Sequence, residues 1–358
     1  MKKKIYRGIL SVFVILIIVV LSYICYLFLS YHRIVDNLKL AVNNAQIEQI
    51  NPNNQSKQNY RITTFNIGYA ANPQNYSFFM DGGQYARGFS QANVQQNLQG
   101  IIHQLQQTAS DFILVQEIDQ TATRSYHLNE VKQMTHTLND YAHVFALNYD
   151  SAYLFYPFTQ PIGSAKSGLL TLSKTNLKES TRYSLPIAED LSKFTDLDRA
   201  FTVTVVATEP KNLALINIHL SAFTKNQTIQ EAQIQKLIKY MQFYRDKGYA
   251  VIVGGDYNHD LLGDTPKLFG TKQEQLTWTH AFPKDKLPAD FTLVNQEVIE
   301  AEVPSVRAND RPYTKQSYVN LVDGFIVSKD IKVNHLKVWN YHFKYSDHNP
   351  VSMDFSIQ

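Results

Sequence analysis

One cysteine in 358 residues, Cys25, excludes a disulfide scaffold and a cysteine-built metal centre. No HExxH spacing occurs, which argues against a zinc peptidase, and neither GxGxxG nor GxxxxGK[ST] follows a strand-like run. Internal repeats and low-complexity tracts are absent as well. Charged residues are scarce at 18%, while the 44% hydrophobic content is too apolar for a disordered chain. The formal charge of +3 leans on Lys2, Lys3, Lys4 and Arg7; without them 30 basic residues face 31 acidic ones. The rest of the chain is therefore near neutral, which gives no bulk positive charge for binding phosphate backbones and leaves only local basic patches open.

The most apolar stretch lies first. Ile9 to Leu29 runs 21 residues without a charge, about 30 Å as a helix, the thickness of a bilayer's hydrocarbon layer. Tyr23, Tyr26 and Tyr31 collect toward its far end, where amphipathic rings favour the interface. The run exceeds a signal-peptide core, and no small-residue cleavage pattern follows it, so a retained anchor is expected. The basic residues ahead of it place the tail in the cytoplasm and the remainder outside the cell. Cysteine-free exported sequence suits a bacterial surface.

The expected organisation is a cytoplasmic tail (1–8), a transmembrane helix (9–30), a stalk or linker (31–60) and one catalytic domain (61–358). Within the stalk, residues 35–50 show partial helical periodicity before a polar spacer. Apolar stripes predict helices over 91–108, 127–139 and 227–246, with Ser90 and Thr224 as caps. Strands are expected over 61–67, 111–117, 143–148, 167–173, 199–207, 213–219, 250–255, 321–327, 333–338 and 350–356. Many strands with few helices favour an α/β sandwich of two packed sheets with helices outside over a simple doubly wound sheet.

Polar residues cluster where the apolar strands stop: Asn66 after TTF, Glu117 after FILVQ, His219 in LINIHL, and Asp256 with Asn258 in GGDYN. Asp323 in VDGFIVS and the pair Asp347 and His348 in YSDHNP follow the same grammar. Rigid strand ends of this kind can surround a cleft. Carboxylates and Asn are hard oxygen donors that suit Mg²⁺ or Mn²⁺ and phosphate oxygens. Gly254 and Gly255 would allow a tight turn or close approach to a ligand. His259 and Asp260 read as solvent-exposed loop polarity. The aromatic stretch 149–158 is either a buried strand ending at Pro157 or a loop beside the cleft that meets lipid or substrate. The segment from Tyr76 to Met80 poses the same choice.

The ordered set TFN (64–66), QE (116–117), NIHL (217–220), GGDYN (254–258), VDGFIVS (322–328) and SDHNPV (346–351) resembles the endonuclease/exonuclease/phosphatase superfamily. That group includes pancreatic-type deoxyribonuclease, abasic-site endonucleases, bacterial sphingomyelinases and inositol-polyphosphate 5-phosphatases. The resemblance spans residues 61–358. It implies a four-layer α/β sandwich of two mixed β-sheets flanked by helices, here preceded by a single transmembrane helix, and metal-dependent hydrolysis of a phosphoester.

The same resemblance implies roles. Glu117 is the principal ligand of Mg²⁺ or Mn²⁺, Asn66 contacts the metal's water shell or a phosphoryl oxygen, and Asp347 completes the metal environment. Asp256 orients the attacking water and Asn258 holds a phosphate oxygen. His348, oriented by Asp323, serves as base or phosphate contact, and His219 stabilises charge developing on phosphorus. Many nuclease relatives carry an acidic residue two positions beyond the first Asn, where this chain has Gly68. Tyr156 and Arg199 stand as substrate-binding candidates by position alone. The expected partners are the phosphoester substrate and the bilayer, with no obligate protein partner. A phosphodiesterase is the leading expectation. An extracellular nuclease, a sphingomyelinase or phospholipase C-like enzyme, and a non-catalytic domain on the same fold remain alternatives.

Overall fold

The near-continuous apolar runs form central strands of two sheets in the computed structural model, which describes residues 2–43, 59–222, 227–271 and 279–358. The first sheet contains β1 (Leu38–Leu40), β6 (Leu177–Ser184), β7 (Ala200–Val206), β8 (Leu213–His219) and β9 (Ala250–Asp256). It is completed by β13 (Asp323–Ser328) and β10 (Phe291–Val294), and its spatial order is β1-β6-β7-β8-β9-β13-β10. The second sheet has the order β14-β15-β2-β3-β5-β4. Its members are β2 (Tyr60–Asn66), β3 (Phe112–Ala122), β4 (Ala142–Asp150), β5 (Ala165–Ser173), β14 (Ile331–Val338) and β15 (Val351–Ile357). A short ribbon joins β11 (Val306–Arg307) to β12 (Val319–Asn320). Both large sheets are mixed: β2 runs parallel to β3 and β8 parallel to β9, among antiparallel neighbours.

The sheets share one core, in which Ile62, Phe112 and Leu114 cluster with Leu215, Val253 and Phe325. Gly254 of GGDYN serves this packing rather than a turn or a ligand, and Gly255 makes room for Ile218 of the neighbouring strand. A Cβ at Gly254 would lie 2.7 Å from the Phe325 ring and 2.8 Å from Leu114 of the opposite sheet. Helix α2 (Gln91–Gln107) covers the second sheet, burying Val94, Leu98, Ile101 and Leu105 against Phe65, Ile113 and Val115. Each such side chain stabilises the fold by roughly 1.5–3 kcal/mol. Its first turn is capped by Ser90, whose hydroxyl accepts from the Asn93 amide at 3.1 Å. Helix α3 (Glu130–Thr137) joins the same layer through Met134. Helix α4 (Gln227–Asp246) buries Ile234, Leu237 and Met241 in the shared core. The expected cap Thr224 lies outside the described residues.

Strand β6 escapes the sequence reading because LKESTRYS has no apolar alternation. From Ser180 onward its polar side chains are buried with partners: Ser180 Oγ lies 2.9 Å from Thr204 Oγ1, and Arg182 donates to the Leu147 carbonyl at 2.6 Å. The segment expected as a stalk also differs. Residues 38–40 pair antiparallel with β6 instead of continuing a helix, and the Ser184 amide donates to Asp36 at 2.8 Å. Residues 44–58 lie outside the described residues. Ahead of this edge strand, helix α1 (Lys2–Ser30) is long and apolar enough to cross a membrane, with mean hydropathy 3.0 over its most apolar window and none of that window buried.

Candidate active site

Strand register assembles the site. His219 ends β8 directly beside Asp256 of β9, and Asp256 stands opposite Asp323 of β13, so three ionisable groups form one row. On the second sheet Asn66 pairs with Gln116, and the next residue, Glu117, falls at a register shift between Val115 and Ile118. Glu117 there adopts φ 53°, a backbone strain that turns its carboxylate out of the ladder into the cleft. Asp347 and His348 immediately precede β15. Beneath the cleft Gln116 Nε2 donates to Asn217 Oδ1 at 2.8 Å, a buried amide tie between the two sheets.

The resulting cleft of about 180 Å³ is lined by Glu117, His219, Asp256, Asn258, Asp347 and His348, with Arg199 on its wall. Asp256 is held from two sides: Asn66 Nδ2 donates to Oδ2 at 2.9 Å and the Asn258 amide donates to Oδ1 at 2.8 Å. His219 Nε2 stands 3.6 Å from both Glu117 Oε1 and Asp256 Oδ2. His348 Nδ1 lies 2.7 Å from Asp323 Oδ2, which leaves Nε2 facing the cleft, 3.9 Å from Asp256 Oδ2.

Crowded carboxylates dominate the electrostatics. Burial, and then the neighbouring Asp347, push Glu117 up to about 7. Burial and Asp323 raise Asp256 to about 6. For His348 burial opposes the charge, yet the adjoining Asp323, with Asp256 and Asp347, raises it to about 10. His219 is driven well below its ordinary value by burial, then by Arg199 and His348. It is a neutral imidazole whose Nδ1 has no partner among the described residues.

This donor set fits a hard divalent cation. Asp256, Asp323 and His348 each offer an atom within 4.8 Å of the others, a grouping able to hold Mg²⁺ or Mn²⁺. Glu117 and Asp256 repel like-charged neighbours in a buried cleft, a cost that a cation would relieve. The grouping differs from the expected ligands Glu117, Asp347 and Asn66. Asn66 is already engaged, since its carboxamide donates to Asp256 and its Oδ1 accepts the Gly68 amide at 3.0 Å.

The other sequence candidates divide. Arg199 donates to the Leu220 carbonyl at 2.9 Å and sits 3.6 Å from Asp196, on the cleft wall. Asn258 Nδ2 donates to the same carbonyl at 2.8 Å. Tyr156 is absent from the cleft lining and stands 65% exposed against Phe79 and Phe158. Phe78 and Met80 do line the cleft. His259 and Asp260 are buried rather than solvent-exposed; Asp260 accepts the amides of Leu262, Gly263 and Thr265 at 2.9–3.0 Å and holds the loop after β9.

Sequence reasoning missed Arg124, which lines the cleft. Its guanidinium lies 3.2 Å from the centre of the Tyr69 ring and bonds Asp119 through two nitrogens at 2.9 and 3.2 Å. The available signal was its isolation as the only Arg between Arg87 and Arg182. Asn309 was missed too; its Nδ2 donates to Asp347 Oδ2 at 3.1 Å.

Two mixed sheets flanked by helices, joined at a cleft of carboxylates and imidazoles, define a metal-dependent phosphoesterase. The chain belongs to the Endonuclease/Exonuclease/phosphatase family, whose profile matches residues 64–348. Solved structures share the fold. An endonuclease/exonuclease/phosphatase from Beutenbergia cavernae has TM-score 0.58 at 16% identity, over 84% of this chain and 72% of that one. ANGEL2, a 2′,3′-cyclic phosphatase in complex with adenosine-2′,3′-vanadate, has TM-score 0.56 at 12% identity, over 90% and 99% of the two chains. TDP2 from D. rerio, complexed with a single strand DNA product, has TM-score 0.54 at 13% identity, over 84% and 100%. No curated protein matches the sequence significantly.

Proposed function

We propose that this chain is a membrane-anchored, divalent-metal-dependent phosphodiesterase whose catalytic domain faces the cell exterior. The observation that carries the reaction is the convergence of Glu117, Asp256 and Asp347 with the Asp323–His348 pair in one cleft. The anchor rests on the length and apolarity of α1, and the orientation on the basic residues ahead of it.

Glu117 and Asp347 are the residues that would hold Mg²⁺ or Mn²⁺, because Asp323 is already committed to His348 at 2.7 Å. The cation would supply charge compensation at the phosphoryl oxygens. Asp256, fixed by Asn66 and the Asn258 amide, presents a carboxylate able to align a water for attack. His348 keeps its Nδ1 on Asp323 and offers Nε2–H to a phosphoryl or leaving-group oxygen. His219, 3.6 Å from Glu117 and Asp256, and Arg199 add polar contacts to the cleft lining.

Turnover of a soluble diester such as bis(p-nitrophenyl) phosphate by the full chain in detergent tests the assignment. Asp256→Asn should lower kcat by about 10²-fold or more with the fold intact, in Mg²⁺ and in Mn²⁺. Near-full activity in that variant would remove Asp256 from the reaction.

A further inference from the structure

The chain leaving α1 does not hang from the domain; it is docked onto it. Phe28 and Tyr31 pack edge-on against Phe194, with ring centres 4.8 and 5.2 Å apart. Arg33 donates to the Leu185 carbonyl, Asp36 accepts the Ser184 amide at 2.8 Å, and Leu38–Leu40 complete the sheet edge. A helix tied in at this many points sets the domain's orientation to whatever α1 crosses.

The loop over residues 151–163 runs back along the helix. The Tyr153 amide donates to Tyr26 Oη at 2.9 Å, Tyr23 Oη donates to the Tyr153 carbonyl at 3.2 Å, and Phe155 lies edge-on to Tyr23 at 5.1 Å. Tyr23 precedes the helix end by seven residues, or about 10 Å of rise. The loop thus descends to the level of the anchor's apolar surface. There it presents Phe155, Tyr156 and Phe158, which are 50%, 65% and 84% exposed. Leu191, 71% exposed, stands one turn from Phe194 on the helix's other contact. Apolar side chains exposed together like this mark a contact surface, and the depth matches that of interfacial segments in a bilayer.

These loops are also the rim of the active-site cleft. Ile162 from the first and Thr195, Asp196 and Leu197 from the second line it, and Tyr156 packs on Phe79 at 5.9 Å, beside the lining residues Phe78 and Met80.

We propose that these loops seat in the outer leaflet, that the cleft opens onto the bilayer, and that the substrate is a phosphodiester in a lipid head group. The proposal rests on the anchored-phosphodiesterase reading and adds the source of the substrate. Water adds to phosphorus, one P–O bond breaks, and the departing alcohol oxygen takes a proton. The products are a phosphomonoester and an alcohol, one of which stays in the membrane.

The full chain, reconstituted in vesicles of phosphatidylcholine, phosphatidylglycerol and sphingomyelin with Mg²⁺, provides the test. In Phe158→Trp, brominated acyl chains should quench the added indole fluorescence above the wild-type background. The double variant Phe158→Ser/Leu191→Ser should keep soluble-diester turnover within about twofold and lose about tenfold on the vesicle lipid. An unquenched indole, or equal effects on both substrates, overturns the proposal. So does cleavage of soluble diester or single-stranded DNA with the lipids intact, which leaves the phosphodiesterase reading standing. No turnover on any substrate, with the indole quenched, overturns the phosphodiesterase reading and the lipid substrate with it while upholding the seated loops.

Discussion

His348 Nδ1 and Asp323 Oδ2 lie 2.7 Å apart, yet they belong to different sheets. Asp323 opens β13 of the seven-stranded sheet and His348 precedes β15 of the six-stranded one. This hydrogen bond exists only when the two sheets are docked, so the pair depends on the packing of the sandwich.

Asp323→Asn should reduce kcat by about 10²–10⁴-fold with a small effect on KM. In metal-free protein the His348 ionisation, raised to about 10 in the wild type, should fall toward its ordinary 6.5. A raised folded value means that the stabilisation is complete below about 6.5 and disappears as pH climbs through about 10. Melting curves of the wild type should show that loss and those of the variant should not. Imidazole NMR titration reads the ionisation directly, and an unchanged His348 value would break the proposed coupling.

Metal should stabilise the protein most at alkaline pH. Glu117 and Asp256 ionise at about 7 and about 6, against 4.5 and 3.8 for free carboxyls. Both folded values are raised, so their contribution is full below about 4 and is lost as pH rises to about 7. Mg²⁺ at a hundredfold over its Kd adds about 2.7 kcal/mol. Thermal shifts with and without Mg²⁺ should differ more at pH 8 than at pH 5; the reverse order would contradict ligation by Glu117 beside the ionised Asp256.

Gly68→Ala should weaken the cation site as well as the fold. Gly68 holds φ +54°, and a Cβ there would meet Asp347 Oδ1 at 2.8 Å. Left-handed backbone alone costs an alanine roughly 1–2 kcal/mol. Displacing Asp347 should also raise the Mg²⁺ concentration for half-maximal activity, which a metal titration measures. The missing acidic side chain at this position has a structural counterpart: the space it would start from is taken by Asp347.

Arg124→Ala should destabilise the protein by about 3–5 kcal/mol in urea unfolding, because it strands the buried Asp119 carboxylate. Arg124→Ala/Asp119→Ala should recover part of that loss. Recovery of nothing would show that the Tyr69 stack, not the ion pair, carries the stabilisation.

The strand-end grammar was legible because it is local. An apolar run that stops at Asn66, Glu117, His219 or Asp256 marks both a buried strand and the polar group at its end, and α2 announced itself through Ser90 and its apolar stripe. Three features were not legible. Strand β6 is buried through paired hydroxyls and Arg182, whose partners lie in β4 and β7. The docked chain after α1 depends on Ser184, some 150 residues away. Arg124 draws its meaning from Tyr69 and Asp119.

The ordered motifs carried the family resemblance, while periodicity and side-chain chemistry along the chain marked the α/β class and the polar residues at the strand ends. Tertiary contacts alone pair Asp323 with His348 and Asn66 with Asp256, make Gly254 the space for Leu114 and Phe325, and leave Tyr156 outside the cleft lining. Register between strands and docking between sheets depend on contacts far apart in sequence, and no local pattern encodes which two of several polar strand ends will meet.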